Sequence, residues 1–414
     1  MGQSKTVIVV GAGIVGVSTA LALQSRGYQV TVLDRTGVAA QASQGNAGAF
    51  AFAEVQPLAS PGIMLKAPKW IMDPLGPLSI PPRYLVEIMP WMLRFWRASW
   101  KDRYEHSLKA QTALMDHCRA ALERQIKQID GEHLIQRAGQ MGLFEGAAQF
   151  KASQAAWDLK RDNGVVFDDL TSPEAIAEIQ PGLDARFTHA RFTPHWYSTI
   201  DPKSWTQFVA DAFVAQGGEI QIADVQEIKP IPEGVSLIAG GEALQADRVV
   251  VACGAWSHQM ARKLGHHIPL ETERGYNTTL PAGAFDLRTH LTFGAHGFVM
   301  SRINGGVRVG GAVELGGLDL PPNYKRADIL LKKAKSFAPG LITEGGTQWM
   351  GFRPSLPDTL PVIDHAPGVP QVIYAFGHGH LGLTQSAGTA EIVCNLMENT
   401  KAALDIAPYA ATRF

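Results

Sequence analysis

The sequence predicts an α/β fold, and three segments predict it, each reading as strand, glycine turn and helix. The first opens the chain. Thr6-Val-Ile-Val-Val10 is almost wholly apolar and β-branched, the composition of a strand covered on both faces, and Gly11-Ala-Gly13-Ile-Val-Gly16 follows without a gap. The second begins at Asp201, with a helical pattern over Ser204 to Gln216, a strand at Glu219 to Ala223, and the apolar run Arg248-Val-Val-Val-Ala252 leading into Cys253-Gly-Ala-Trp256. The third is Val372-Ile-Tyr-Ala-Phe376, then Gly377-His-Gly-His-Leu-Gly-Leu-Thr384 and a helix rich in Ala and Gly.

Each glycine of the first turn has a physical task. Gly11 turns the chain, Gly13 lets backbone approach a pyrophosphate, and Gly16 lets helix pack on strand; the helix start, with Ile14 and Val15, faces the phosphates. Gly27 ends the helix, and a second strand, Tyr28 to Leu33, finishes in Asp34 and Arg35. Asp34 lies 18 positions after Gly16, where a ribose-binding carboxylate belongs. A dinucleotide site is therefore expected, and this unit alone leaves NAD and FAD both open. Beyond Arg35 the chain enters Gln41-Ala-Ser-Gln-Gly-Asn-Ala-Gly48, a small polar stretch through which backbone can approach a flat cofactor. Ser43, Gln44, Asn46 and Ala47 are the candidate contacts there. Val225, Cys253, Gly254 and Trp256 are those of the second segment, and Gly379, His380, Leu381, Gly382 and Thr384 those of the third.

The chain as a whole excludes several classes. Its 414 residues, 46% hydrophobic and 18% charged, can bury a large core in two connected domains. Lys plus Arg (37) balances Asp plus Glu (38), so no nucleic-acid partner is expected. Cys118, Cys253 and Cys394 are widely spaced, which argues against a disulfide framework or structural zinc and fits a reducing cytosol. His378 and His380 have metal-like spacing but lack a third ligand, and no metal is expected. No secretion signal is read, no apolar run reaches the ~18 to 20 residues of a membrane span, and a cytoplasmic protein is expected. Trp70 to Tyr104 interleaves Trp70, Trp91, Trp96 and Trp100 with Arg83, Arg94, Arg97, Lys101 and Arg103. A packed helical lid is its first reading; peripheral contact with the inner face of the cytoplasmic membrane is its second.

Four motifs carry a resemblance: Ser43-Gln-Gly-Asn-Ala-Gly48, Glu273-Arg-Gly-Tyr276, Gly351-Phe-Arg-Pro354 with Leu356-Pro-Asp358, and Gly377-His-Gly-His-Leu-Gly-Leu383. Over nearly its whole length the chain resembles the FAD-dependent amino acid oxidoreductases of the D-amino acid oxidase type, and most of all the bacterial D-amino acid and D-hydroxyproline dehydrogenases. The resemblance implies FAD and an α/β architecture in which an interrupted Rossmann-like FAD-binding domain carries an inserted α+β substrate domain. The FAD-binding parts then fall at 1–60, 201–265 and 348–414, and the substrate parts at 61–200 and 266–347. Gln140 to Phe144, Phe298 to Met300 and Val307 to Val313 read as strands of the insertion, and Tyr104 to Gln128 as a long amphipathic helix.

An amino acid's carboxylate suits a guanidinium fork, and the resemblance assigns that role to Arg353, whose alternative is a structural ion pair. Arg274 and Tyr276 share one face of a probable strand at period two; one or both face substrate, or Tyr276 caps the sheet. The resemblance brings the turn with His380 to the flavin and aims the helix start at Gly382 to Thr384 at the flavin's N1 and C2 carbonyl. It implies oxidation of the Cα–N bond of a small amino or imino acid by hydride transfer to flavin N5. Electrons would pass to a quinone, another acceptor or O2. FAD is expected to be noncovalent, because no cysteine stands between Gly254 and Val393, where some members attach it. A D-amino acid would yield an imino acid, then keto acid and ammonia; D-hydroxyproline or D-proline would yield a pyrroline carboxylate; glycine and sarcosine are further substrates to test. Rival readings from other classes are a noncatalytic flavoprotein subunit and an NAD-dependent dehydrogenase sharing only the opening unit.

Overall fold

The computed structural model describes residues 5–65 and 78–414 of the chain. Strand Thr6–Val10 lies between Gln29–Asp34 and Arg248–Val251, parallel to both. Glu219–Ile222 extends the sheet on one side, Val369–Phe376 and the antiparallel Val362–Ala366 on the other, for six strands among the described residues. Strand alternation explains why these sequences read as continuous apolar runs. Val7, Val9, Val30, Val32 and Val250 face the helices, whereas Ile8, Val10, Leu33, Val249 and Val251 face a three-stranded sheet built from residues 225–246. Each such side chain contributes about 1.5–3 kcal/mol relative to leaving it exposed.

The helices on the first face are Ile14–Gln24, Pro202–Ala215 and Gly382–Glu398. The second starts where its sequence dictates: Pro202 occupies the first turn, and the Asp201 side chain accepts from the Ser204 amide at 2.9 Å. Helix Lys101–Gln128 crosses the C-terminal helix closely, because a Cβ at Gly388 would collide with Cys118. Its apolar stripe, Leu114, Met115, Cys118 and Leu122, is thereby buried in the core of the first domain.

The second sheet has nine strands among the described residues. It runs in space from Thr347–Ser355 through Glu271–Leu280, Gly306–Leu315, Phe298–Ile303, His290–Phe293, Gln140–Phe144 and His189–Thr193 to Asp168–Leu170, with Leu78–Ser79 beside Gly306–Leu315. One face, with Leu291, Phe293, Met300, Val307 and Val309, packs against helix Lys325–Phe337. The other face carries His290, Thr292, Ser301, Arg308, Asn277 and Arg353 and looks onto the site. This corrects the boundary expected at 347/348. Strand Thr347–Ser355 pairs with Glu271–Leu280 along its whole length, so the first sheet resumes only at Val362.

The tryptophan-rich segment begins, with Trp70, outside the described residues. Its helix Leu85–Ala98 buries Ile88 and Trp91 against Leu315, the last residue of strand Gly306–Leu315, while Val86, Leu93 and Trp96 are exposed. Among the described residues no helix is long and apolar enough to cross a membrane.

Candidate active site

A cavity of about 780 Å³ runs from the C-terminal ends of the first sheet, where the strand order changes direction between Thr6–Val10 and Arg248–Val251, to the polar face of the second sheet. Its first end is shaped for a dinucleotide. Gly11 has φ +114°, and a Cβ there would strike the Ala252 carbonyl; a Cβ at Gly16 would strike the Gly11 carbonyl. Gly13 meets only the Ser43 hydroxyl and opens on the cavity with the first-turn amides of the helix, which have no intrahelical acceptor. The Asp34 carboxylate is fixed by the amides of Ala12 (2.8 Å), Thr36 (2.8 Å) and Gly37 (2.9 Å). The Arg35 guanidinium stacks 4.1 Å over Trp256. Val225, Cys253 and Gly254 complete this end. The donors, the acid and the glycine cradle fit an adenine dinucleotide.

The middle of the cavity is bounded by the polar stretch, which hangs on the second sheet. Asn277 donates to the Gly45 carbonyl (2.7 Å), Arg308 donates to the Asn46 carbonyl (2.6 Å), and Ser43 accepts from the Ile14 amide (2.9 Å). Gly45 and Gly351 both lie against the Trp349 indole, where neither has room for a Cβ. Opposite, the turn Gly379–Leu381 contributes Gly379 and His380.

The far end is set by two paired strands. Glu273 stands opposite Arg353 and Gly275 opposite Gly351, so these residues share one face. The Arg353 side chain lies over Gly275 and donates to the Ala312 carbonyl at 3.2 Å. Burial lowers the Arg353 pKa, and Glu273 opposes that shift. Desolvation also lowers the pKa of His380, again against Glu273, and takes His290, tilted against Trp196, down to about 4. Both imidazoles are neutral at physiological pH. Glu54 is half-buried; desolvation would raise its pKa, but the Lys160 ammonium at 3.0 Å holds it below the usual carboxylate range.

The candidates divide sharply by place. Arg353, Tyr276, His380, Gly11, Gly13, Ile14, Val15, Asp34, Arg35, Ser43, Asn46, Ala47, Val225, Cys253, Gly254, Trp256, Gly379 and Gly382 line the cavity. Gly16, Gln44, Leu381 and Thr384 do not; the Thr384 hydroxyl instead accepts from the Ala51 amide at 2.9 Å. Arg274 is corrected outright. Its side chain stays out of the cavity, and the guanidinium is spent on Glu314 and on the carbonyls of Gly317, Leu320 and Pro321. The Tyr276 hydroxyl likewise donates to Glu314 at 2.8 Å. His378 is buried in the cavity wall and pushed down to about 3 by that burial, and its Nε2 meets the Thr389 hydroxyl at 2.9 Å. Among the described residues no cluster of three or more His, Cys, Asp or Glu could hold a metal. Glu54, Glu273, Asn277, His290, Arg308 and Trp349 were missed. Only Glu273, two positions before Gly275 in a motif already singled out, had a signal in the sequence.

A two-domain protein with a dinucleotide cradle that opens onto an arginine-floored pocket defines a class of nucleotide-dependent oxidoreductases. Comparison with known sequences makes it specific: the profile described as FAD dependent oxidoreductase matches residues 6–396, and the chain belongs to that family. It is 34% identical to the D-amino-acid oxidase of Bradyrhizobium diazoefficiens, with both chains covered in full. It is 28% identical to D-amino acid dehydrogenase 1 of Mesorhizobium japonicum over 99% of each chain. Among solved structures, glycine oxidase from Geobacillus kaustophilus superposes with a TM-score of 0.78 at 19% identity, over 99% of this chain and 100% of that one. L-proline dehydrogenase from P. horikoshii gives 0.74 at 18%, over 100% and 98%. These structures share the fold. The protein is a FAD-dependent oxidoreductase.

Proposed function

We propose that this chain is a dehydrogenase that oxidises the Cα–N bond of a small D-amino acid to the imino acid, which water converts to keto acid and ammonia. The observation that carries the reading is Arg353. Its guanidinium lies at the end of a cavity continuous with the dinucleotide cradle and makes one hydrogen bond among the described residues, to Ala312, leaving the rest of the fork for a carboxylate. The two curated relatives, both named for D-amino acids, support the same substrate class. When bound, FAD supplies the hydride acceptor at N5. The chain's part is positioning: Arg353 fixes the carboxylate, Trp349 and Asn277 wall the pocket against water, and neutral His380 offers a nitrogen to a departing proton. The electron acceptor in this reading is a quinone or another carrier.

FAD is held without a covalent bond in this reading. The one cavity-lining cysteine among the described residues, Cys253, sits at the nucleotide end, its thiol donates to the Val10 carbonyl at 3.3 Å, and burial takes its pKa up to about 12. Acid precipitation should leave the flavin in the supernatant. Arg353→Ala tests the substrate reading: flavin reduction by a D-amino acid should fall about 10²- to 10³-fold, the loss of a charge-assisted bidentate contact, with FAD content unchanged. Unchanged reduction would remove Arg353 from the site and the reading with it.

A further inference from the structure

The second charge at the pocket end is Glu273. It is 5% exposed, lines the cavity, and stands directly opposite Arg353 on the neighbouring strand. Opposite charges so placed ordinarily pair. These two do not: among the described residues no ion pair or hydrogen bond engages the Glu273 carboxylate, and the Arg353 guanidinium leans away over Gly275 to reach Ala312. A buried carboxylate without a partner is unfavourable, so the position makes physical sense where a ligand brings the counter-charge.

The surrounding groups narrow what that ligand carries. Glu54, the other acid lining the cavity near His380, already has its cation in Lys160. His380 feels both Glu273 and Arg353, but no ion pair or hydrogen bond joins it to Glu273 among the described residues, and desolvation with Arg353 lowers its pKa, so it supplies no counter-charge. The chain therefore offers one open cationic fork and one open carboxylate side by side. A molecule with a carboxylate and an ammonium on the same carbon answers both.

Resting on the reading of Arg353 as the carboxylate site, we propose that Glu273 is the specificity residue that receives the α-amino group, so that the pocket selects zwitterions over simple carboxylates. Its oxygens accept N–H hydrogen bonds from the ammonium and equally from the neutral amine.

A matched pair of unreactive ligands tests this on the FAD-loaded protein. 2-Aminoisobutyrate has no hydrogen on Cα and cannot be oxidised; isobutyrate has the same shape without the amine. Dissociation constants come from perturbation of the flavin absorbance or from calorimetry. Glu273→Gln should weaken 2-aminoisobutyrate about 10- to 100-fold, the value of a charge-assisted contact, while isobutyrate binds as well as before or more tightly. The ligand-free variant should melt no lower than the wild type, since no group on the chain loses a partner. Should the Gln variant not fold, Glu273→Asp, which keeps the charge on a shorter arm, should show a smaller loss for 2-aminoisobutyrate alone. Equal losses for both ligands, or no loss for 2-aminoisobutyrate, would overturn the assignment. Arg353→Ala is the separate control: if it leaves isobutyrate binding intact, the carboxylate reading itself has failed.

Discussion

Replacing Gly275 with Ala displaces Arg353, the proposed carboxylate partner, without removing its charge. A methyl at Gly275 would fall 2.2 Å from Nη2 of Arg353. Ordinary contact needs about 3.5 Å, so the guanidinium must retreat by about 1.3 Å. Gly275 lies in an extended strand at a φ open to any residue, and the neighbour that must yield is the tip of a flexible side chain, so the fold should survive. Misplacing a positioning group by about 1 Å costs on the order of 10²-fold, or ~2.7 kcal/mol of transition-state stabilisation. Stopped-flow flavin reduction by a D-amino acid under anaerobic conditions would measure it, with FAD content and melting temperature as controls. A variant that reduces its flavin at the wild-type rate with wild-type substrate affinity would refute the claim that Arg353 works from its place over Gly275.

Three further predictions follow from other parts of the molecule. Arg274→Ala should destabilise the fold by about 3–5 kcal/mol by taking from buried Glu314 its ion-pair partner and leaving it only the Tyr276 hydroxyl, while the folded fraction keeps its FAD and its substrate affinity; a melting point equal to the wild type's would contradict the structural role assigned to Arg274. Gly16→Ala should abolish FAD retention on purification, because the added methyl meets the Gly11 carbonyl and backbone cannot step aside; a yellow protein would count against the cradle. His378 and His290, lowered to about 3 and about 4 by burial, stay unprotonated in the folded chain while the unfolded chain binds protons below its ordinary pKa of about 6.5. Their contribution is therefore full above pH ~6.5 and is lost as the pH falls toward 4. Denaturation midpoints between pH 6.5 and 5 should decline less steeply in His378→Gln, and an unchanged slope would contradict the burial argument.

The parts of this account legible in the sequence are those whose cause is local. A β-branched run, three glycines and an acid specify the opening unit because each residue's task is set by its immediate neighbours: a Cβ at Gly11 or Gly16 would collide with backbone, and Gly13 opens on the cavity. Arg353 was legible through its motif. The phase of its partner strand was not: Glu271–Leu280 is buried on both faces almost throughout, so alternation does not tell which face meets the pocket, and Arg274 was preferred where Glu273 faces the cavity. The membership of Thr347–Ser355 was hidden for a related reason, since a strand's sheet is fixed by its distant ladder partners, Thr279 for Thr347 and Glu271 for Ser355, and not by its own composition. Glu54, Trp196 and His290 come together from three distant stretches, and no local pattern marks any of them.

The central claim is that the protein removes hydride from the α-carbon of a D-amino acid. Its most direct test is an anaerobic absorbance titration of the FAD-loaded protein with D-alanine and, separately, with L-alanine, followed at the oxidised flavin band near ~450 nm, a property of the cofactor. D-alanine should bleach this band and L-alanine should not. A flavin that stays oxidised with D-alanine and across a panel of further D-amino acids, D-proline and glycine would contradict it.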